Sequence, residues 1–328
     1  MLIRMITPAP PRSRYGNRVT ALRWERHLRA LGHRVVLGQH WDGKPCDLMI
    51  ALHARRSFPA MAQYREKFPA APLVLALTGT DLYRDIKTDP DAGKALQMAD
   101  LLVTLQPLAE QELAPSLREK VRVVLQSAKP PPGGIRKIQR YFQVCVVGHL
   151  REEKDPFRAA LASARLPDHS RIRVVHAGGA MDKKMAAEAR RMEAAFPRYH
   201  WIGERPPWQI RRLLARSHLM VLSSRMEGGA NVISEAISAG LPVLASDIPG
   251  SRGLLGPSYP GYYPVEQEEK LARLMIRSES DPAFYRDLEK QVKSLRKAFS
   301  PDQEQKQWKA ILDELKKTSP ITPFRERS

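Results

Sequence analysis

The sequence predicts two α/β domains, each a doubly wound, mostly parallel sheet covered by helices on both faces. Three observations predict it. Short apolar runs of strand length alternate with amphipathic helical stretches along the whole chain. That alternation is interrupted once, by the Pro- and Gly-rich segment Lys129-Pro-Pro-Pro-Gly-Gly134, which reads as an interdomain linker. The 328 residues also match roughly two domains at about 150 residues each. The expected partition is 1–132 and 133–300, with a terminal helix over about 301–328 free to cross back to the first domain.

In chain order, Leu2 to Thr7 is a buried strand that runs into a Pro-rich loop. A long amphipathic helix follows from about Val19 to Leu31, and Gly32 stands where a helix C-cap favours glycine. His33 to Gly38, Asp47 to Leu52 and Leu73 to Thr78 are strands. Lys94 to Ala99 is a helix, and Leu101 to Leu105 and Val121 to Leu125 are further strands. Beyond the linker, strands are expected at Val144 to Gly148, Arg173 to His176, His200 to Gly203, Leu219 to Ser223 and Pro242 to Ser246. Helices are expected at Pro156 to Arg165, Lys183 to Phe196, Trp208 to Arg216 and Val232 to Ala239, then near 267–278 and 281–298. The last helix, Gln303 to Lys317, carries apolar residues at Trp308, Ile311, Leu312 and Leu315. In sheets of this kind ligands sit beyond the carboxyl ends of the strands, which places the expected site in a cleft between two facing domains.

Composition narrows the function. A hydrophobic share of 43% supports a full core and excludes a disordered polycation. No apolar run has the length of a membrane span, and Pro8, Pro10 and Pro11 cut short the apolar start before a signal-peptide core forms. A cytoplasmic protein is the expectation. The two cysteines, Cys46 and Cys145, are too few for a disulfide framework or a four-cysteine zinc site, and they read as buried small hydrophobes. Lys and Arg total 54 against 35 acidic residues, a net +19 that calls for anionic partners: nucleic acid, a membrane surface or phosphate compounds.

The richest stretch is Ser223-Ser-Arg-Met-Glu227-Gly228-Gly229-Ala230-Asn231-Val232-Ile-Ser-Glu235-Ala236, continuing to Gly240-Leu-Pro242 and Pro249-Gly250. A strand ends in a small-residue loop, and a helix begins near Asn231. Such a helix start attracts phosphate through its N–H groups and dipole, and glycines let a phosphate approach the backbone. Glu227 precedes the helix and Glu235, eight residues on, lies on its second turn. The two carboxylates therefore sit at different depths of one mouth. In this order the elements resemble the GT-B glycosyltransferases of the Glu-x7-Glu family, whose members include sucrose and glycogen-type synthases. Two doubly wound Rossmann-like domains facing a central cleft are the fold that the resemblance implies. It also implies that Glu235 binds the donor ribose, that Glu227 lies beside the transferred sugar, and that Gly228, Gly229, Ala230, Asn231 and Val232 line the diphosphate and sugar.

A second block, Val146-Val-Gly148-His149-Leu150-Arg151-Glu-Glu-Lys154-Asp155-Pro156, resembles the segment that opens the family's nucleotide domain. Lys154 matches the diphosphate-binding lysine, a point charge suited to phosphate. His149 stands where the family usually has arginine. Either Arg151 supplies the missing charge or His149 meets the phosphate directly, and a loop-capping histidine is the structural alternative. Gly203 and Arg205, in His200-Trp-Ile-Gly203-Glu-Arg205, match the loop near the nucleotide base.

In the first half, Pro10-Pro-Arg12-Ser-Arg14-Tyr15-Gly16-Asn17-Arg18 occupies the family's acceptor loop, where a tight turn is expected at Gly16-Asn17. Leu52-His53-Ala-Arg55-Arg56-Ser57 and Leu77-Thr78-Gly79-Thr80-Asp81 end the next strands on the same side. Together with Gly-His-Leu-Arg-Glu-Glu-Lys-Asp-Pro, these segments resemble a narrower group, the selenosugar synthases of bacterial selenoneine biosynthesis. That resemblance spans most of the chain. It implies transfer of N-acetylglucosamine from a UDP-sugar to selenophosphate, with a carbon–selenium bond formed. Selenophosphate already carries charge at neutral pH, so the site must supply cationic positioning more than a base. Arg12, Arg14, Arg18, Arg55 and Arg56 fit that need. His53 either orients the acceptor, assists later loss of phosphate, or is structural.

Asp89-Pro-Asp91 is an Asp-x-Asp, the metal motif of a different glycosyltransferase fold, but it falls in a polar turn; no metal and no cofactor are expected. An alternative enzyme would act on a lipid or polysaccharide acceptor, and the sequence shows no convincing apolar–basic helix for it. A basic nucleic-acid-binding protein is the remaining class. Aromatics at 7% and the lack of a recognisable module argue against it.

Overall fold

The computed structural model describes residues 1–13 and 15–318. Arg14 and residues 319–328 lie outside the described residues. The chain divides into two units. One comprises Met1–Gln126 with the terminal segment that begins at Pro301, and the other is Ser127–Ser300.

The first unit is built on strands β1 (Leu2–Ile6), β2 (Arg34–Gly38), β3 (Leu48–Leu52), β4 (Leu73–Leu77), β5 (Leu101–Thr104) and β6 (Val121–Val123). All pair in parallel, in the order β2-β1-β3-β4-β5-β6. Alternation within β3 shows why both faces are covered. Leu48, Ile50 and Leu52 pack with Trp24, Leu28 and Trp308 on one side. Met49 and Ala51 pack with Met61, Tyr64 and Leu96 on the other.

The terminal helix Pro301–Thr318 belongs to this unit. Trp308 meets Trp24 edge-on at 4.8 Å between ring centroids. The fully buried Glu304 accepts hydrogen bonds from Trp24 Nε1 at 2.8 Å and Arg23 Nε at 3.1 Å, with His27 Nε2 at 3.2 Å. A buried carboxylate is tolerable only with this much compensation.

The second unit repeats the plan with β7 (Phe142–Val147), β8 (Ile172–Ala177), β9 (Tyr199–Trp201), β10 (Leu219–Leu222), β11 (Val243–Ser246) and β12 (Tyr262–Tyr263). Its strands are also all parallel, in the order β12-β11-β10-β7-β8-β9. The predicted α/β class is therefore what is observed, as two six-stranded parallel sheets.

Three details differ from the sequence expectation. The first helix is Gly16–Ala30, so Gly16 and Asn17 open it and form no tight turn; the left-handed backbone falls at Arg12 instead, with φ 67°. Asp89 does not sit in a free turn. It caps the helix Pro90–Met98 by accepting from the N–H groups of Asp91 and Ala92 at 3.0 and 3.1 Å. Finally, helix Gly16–Ala30 carries an exposed apolar stripe, described below.

Both cysteines are buried, and burial pushes the Cys145 thiol up to about 12. Among the described residues no helix is long and apolar enough to cross a membrane, and no group of three His, Cys, Asp or Glu could hold a metal ion.

Candidate active site

In a doubly wound sheet the ligand position is set by the switch point, where successive connections leave to opposite sides. In the second unit that point lies between β7 and β10, which are adjacent although 71 residues of chain separate Val147 from Leu219. Their carboxyl-end loops hold Lys154 and Glu227, and the structure brings these two together as an ion pair, Lys154 Nζ to Glu227 Oε1. Glu227 is 8% exposed and accepts a second hydrogen bond from Ser224 Oγ at 2.6 Å. Ser246 Oγ at the end of β11 donates to Ser224 O at 2.5 Å, so three strand ends are tied in series.

The backbone under Lys154 is fixed as firmly. Ser223 Oγ reaches the carbonyls of Lys154 and Asp155 at 3.1 and 2.8 Å, and Arg225 N donates to Glu153 O at 2.9 Å. Asp155 adopts left-handed backbone, φ 43°, and pairs with Arg158 at 2.7 Å. Two glycines make the close approaches possible. A Cβ on Gly250 would lie 2.1 Å from Glu227 O, and one on Gly178 would lie 1.7 Å from Gly148 O. Both glycines are therefore required by packing against backbone rather than by their own dihedrals.

His176, fully enclosed in β8, bridges the same region. Its Nε2 meets Gly148 O at 3.1 Å and its Nδ1 meets Tyr199 OH at 2.9 Å. Since a carbonyl can only accept, Nε2 carries the proton and Tyr199 donates to Nδ1. Burial lowers the His176 pKa to about 4, so the ring is neutral at neutral pH.

The remaining predicted donor residues distribute around this pair. His149 and Arg151 are half-buried in the loop after β7, with His149 Nδ1 beside Gly179. Gly228 and Ala230 are buried and Gly229 is half-buried in the loop after β10. Asn231, Val232 and Glu235 are half-buried on helix Asn231–Ala239, which has no acidic residue in its first turn to neutralise its positive end. Gly203 and Arg205 lie beyond β9, two strands away from β7. Gly203 O accepts from Gly178 N at 2.9 Å, and Arg205 is exposed.

In the first unit the switch point lies between β1 and β3. His53 follows β3 directly with φ 78°, a region strained for a residue with a Cβ, and is 4% exposed. Burial holds its imidazole below the usual histidine range; Asp81 and Asp85 oppose that, and Arg56 and Arg55 reinforce it. Asp81 is fully spent on backbone, accepting from Ala54 N at 3.0 Å, Thr78 N at 3.2 Å and Gly79 N at 2.7 Å. Asp85 accepts from Arg55 Nε at 2.9 Å and Arg84 Nε at 3.3 Å. Thr78, Gly79, Thr80, Asn17 and Arg18 are half-buried, whereas Arg12, Gly16, Arg55 and Arg56 are exposed.

Sequence reasoning missed Ser224, Ser246, His176 and Gly178 as members of the site. The signal available was position: each stands at or just past the carboxyl end of a strand.

A family model described as glycosyl transferases group 1 matches residues 134–295. That segment is similar to the group 1 glycosyl transferases. The matched segment contains every element of the Lys154–Glu227 site. A relative from Xenopus tropicalis, glycosyltransferase 1 domain-containing protein 1, is 24% identical over 270 residues, covering 74% of this chain and 78% of that one. Among solved structures, sucrose-phosphate synthase from Thermosynechococcus elongatus is similar with a TM-score of 0.80 at 18% identity, covering 97% of this chain and 100% of that one. HepE from Anabaena, in complex with UDP-glucose, is similar with a TM-score of 0.78 at 15% identity, over 96% and 100% of the two chains. A trehalose-phosphate synthase from Burkholderia vietnamiensis follows at 0.69 and 13%, over 94% and 80%. The fold is that of GT-B glycosyltransferases, and with the family match it supports a glycosyltransferase.

Proposed function

We propose that this protein transfers a sugar, N-acetylglucosamine, from a UDP-sugar to selenophosphate and so makes a selenosugar for selenoneine biosynthesis. The single observation that carries the donor half is the Lys154–Glu227 pair at the switch point of the matched segment. HepE, which shares the fold, was solved with UDP-glucose, and that supports a UDP-sugar here.

Lys154 exchanges the Glu227 carboxylate for the donor diphosphate, with Arg151, His149 and the start of helix Asn231–Ala239 completing the neutralisation. Glu227, released, faces the transferred sugar, and Glu235 takes the ribose hydroxyls. Gly228, Gly229, Ala230 and Val232 let the phosphates approach, while Gly203 and Arg205 flank the base. A selenium lone pair attacks the anomeric carbon, the bond from that carbon to the diphosphate oxygen breaks, and UDP leaves with the electron pair. Water then cleaves the selenium–phosphorus bond, releasing phosphate. Arg12, Arg14, Arg18, Arg55, Arg56 and the His53 and Thr78 to Asp81 strand ends serve the acceptor. Charge neutralisation falls to side chains, and the reading includes no metal ion, no nucleic acid and a cytoplasmic setting.

A lipid or polysaccharide acceptor is favoured by one observation that the sequence did not reveal. Tyr15, Val19 and Leu22 are 38, 39 and 40% exposed on one face at and along the start of helix Gly16–Ala30, with Arg26 continuing that face.

Purified protein incubated anaerobically with UDP-N-acetylglucosamine and selenophosphate separates the two. The proposal expects UDP and a product with selenium's isotope pattern by mass spectrometry. UDP release with a lipid acceptor and none with selenophosphate would overturn it.

A further inference from the structure

We propose that the first unit carries a preformed site for a phosphate-class oxyanion, formed by Arg18 Nε, His53 Nε2 and Thr78 Oγ1. Naming that oxyanion as the acceptor rests on the function proposed above; the site itself does not.

Each of the three atoms is buried without a hydrogen-bond partner among the described residues. A buried donor left unmade costs free energy, and native chains rarely tolerate several in one place without a ligand or water to meet them. Each lies in the connection that follows one of three neighbouring strands. Arg18 lies in the first turn of the helix that follows β1, His53 directly follows β3, and Thr78 directly follows β4. The strands are parallel neighbours in the order β1-β3-β4, so their carboxyl ends lie about 5 Å apart from one to the next.

A clamp holds two of the ends together. The Asp81 carboxylate accepts from Ala54 N beside His53 and from the N–H groups of Thr78 and Gly79. His53 N also donates to Ala76 O at 2.9 Å. The backbones of His53 and Thr78 are thus held at neighbouring strand ends by these bonds.

The tautomer follows from the same contacts. His53 Nδ1 accepts from Arg56 N at 3.4 Å, which leaves the proton of the neutral ring on Nε2 as a donor. The nearest acid, Asp85 Oδ2, is 3.7 Å from Nε2, beyond hydrogen-bond reach, and is held by Arg55 and Arg84. Asp81 is held by three backbone N–H groups. Both carboxylates near His53 are therefore occupied, whereas the cation at Arg18 has no acidic partner among the described residues. Donors arriving from three separate strand ends suit the several oxygens of a tetrahedral oxyanion. A planar carboxylate would need a two-pronged fork.

The test is isothermal titration of the full chain with orthophosphate at fixed ionic strength, with UDP saturating so that the second unit is filled. Wild type is expected to bind phosphate saturably, and Arg18→Gln, His53→Gln and Thr78→Val each to weaken it at least tenfold. Thr78→Ser restores the hydroxyl and binding; Lys154→Ala, titrated without UDP, retains binding. No saturable binding by wild type, binding untouched by the three substitutions, or binding lost with Lys154 would overturn the proposal. The two readings fail separately. Phosphate bound through these residues without selenophosphate turnover sinks the function and keeps the site. Selenophosphate turnover by wild type with no saturable phosphate binding through these residues does the reverse.

Discussion

The two sheets have the same doubly wound plan, yet their switch points are finished differently. In the second unit the groups around Lys154 are closed on one another: Lys154 on Glu227, Ser224 on Glu227, Ser246 on Ser224, and His176 on Gly148, with Ser251 Oγ beyond β11 left over. In the first unit the acids Asp81 and Asp85 are consumed locally, and the donors of Arg18, His53 and Thr78 are left over. A closed network gives a rigid site whose ligand must displace an internal ion. An open one sacrifices stability for immediate readiness to bind. Substitutions in the second unit should therefore act strongly on stability, and those in the first chiefly on binding.

The largest expected effect is Gly178→Ala. With its Cβ 1.7 Å from the Gly148 carbonyl, the loop that leads to Lys154 must move. Destabilisation of about 3 kcal/mol or more in urea unfolding is expected, with loss of UDP binding. A variant as stable as wild type would show that the second site is less closed than described.

Next comes pH. The folded pKa of His176, about 4, lies below its unfolded value near 6.5, so the unfolded chain binds more protons between them. Its contribution is complete above pH about 6.5 and is lost as pH falls toward 4, by at most roughly 3 kcal/mol. Unfolding curves at stepped pH should show this slope, and His176→Gln should reduce it, the remainder coming from His218, whose pKa burial also lowers to about 4.

A smaller effect is expected at His53→Gly, which removes strained left-handed backbone while giving up side-chain packing. Stability should change by under about 1 kcal/mol, whereas orthophosphate binding falls tenfold. A large stability loss with binding intact would make His53 structural. The smallest is Leu22→Ser on the exposed stripe. Stability should stay within about 0.5 kcal/mol, and sedimentation with anionic vesicles reads whether the stripe meets lipid.

Much of this was legible in the sequence. Strands such as Leu73–Leu77 and Leu48–Leu52 are unbroken apolar runs because both faces of a parallel sheet are buried, and that is a local pattern. Lys154 and Glu227 stood out through their motifs. Their pairing did not, because it depends on β7 and β10 being neighbours in the sheet, which no local pattern encodes. Strand β12 is two residues long, too short for any period to register. Helix Ala54–Lys67 was hidden by Pro59 and by the unusual backbone of His53 at its start. The stripe of Tyr15, Val19 and Leu22 reads from sequence as an ordinary core face, since the opposite face with Trp24 and Leu28 is apolar too.

The central claim is that the Lys154–Glu227 switch point is where the nucleotide diphosphate binds. Equilibrium titration of the full chain with UDP tests it most directly. Wild type should bind, Lys154→Ala should bind about 50-fold more weakly, as expected for losing charge-assisted hydrogen bonds worth roughly 2–3 kcal/mol, and Arg18→Gln should bind as wild type does. UDP affinity unchanged in Lys154→Ala would contradict the account.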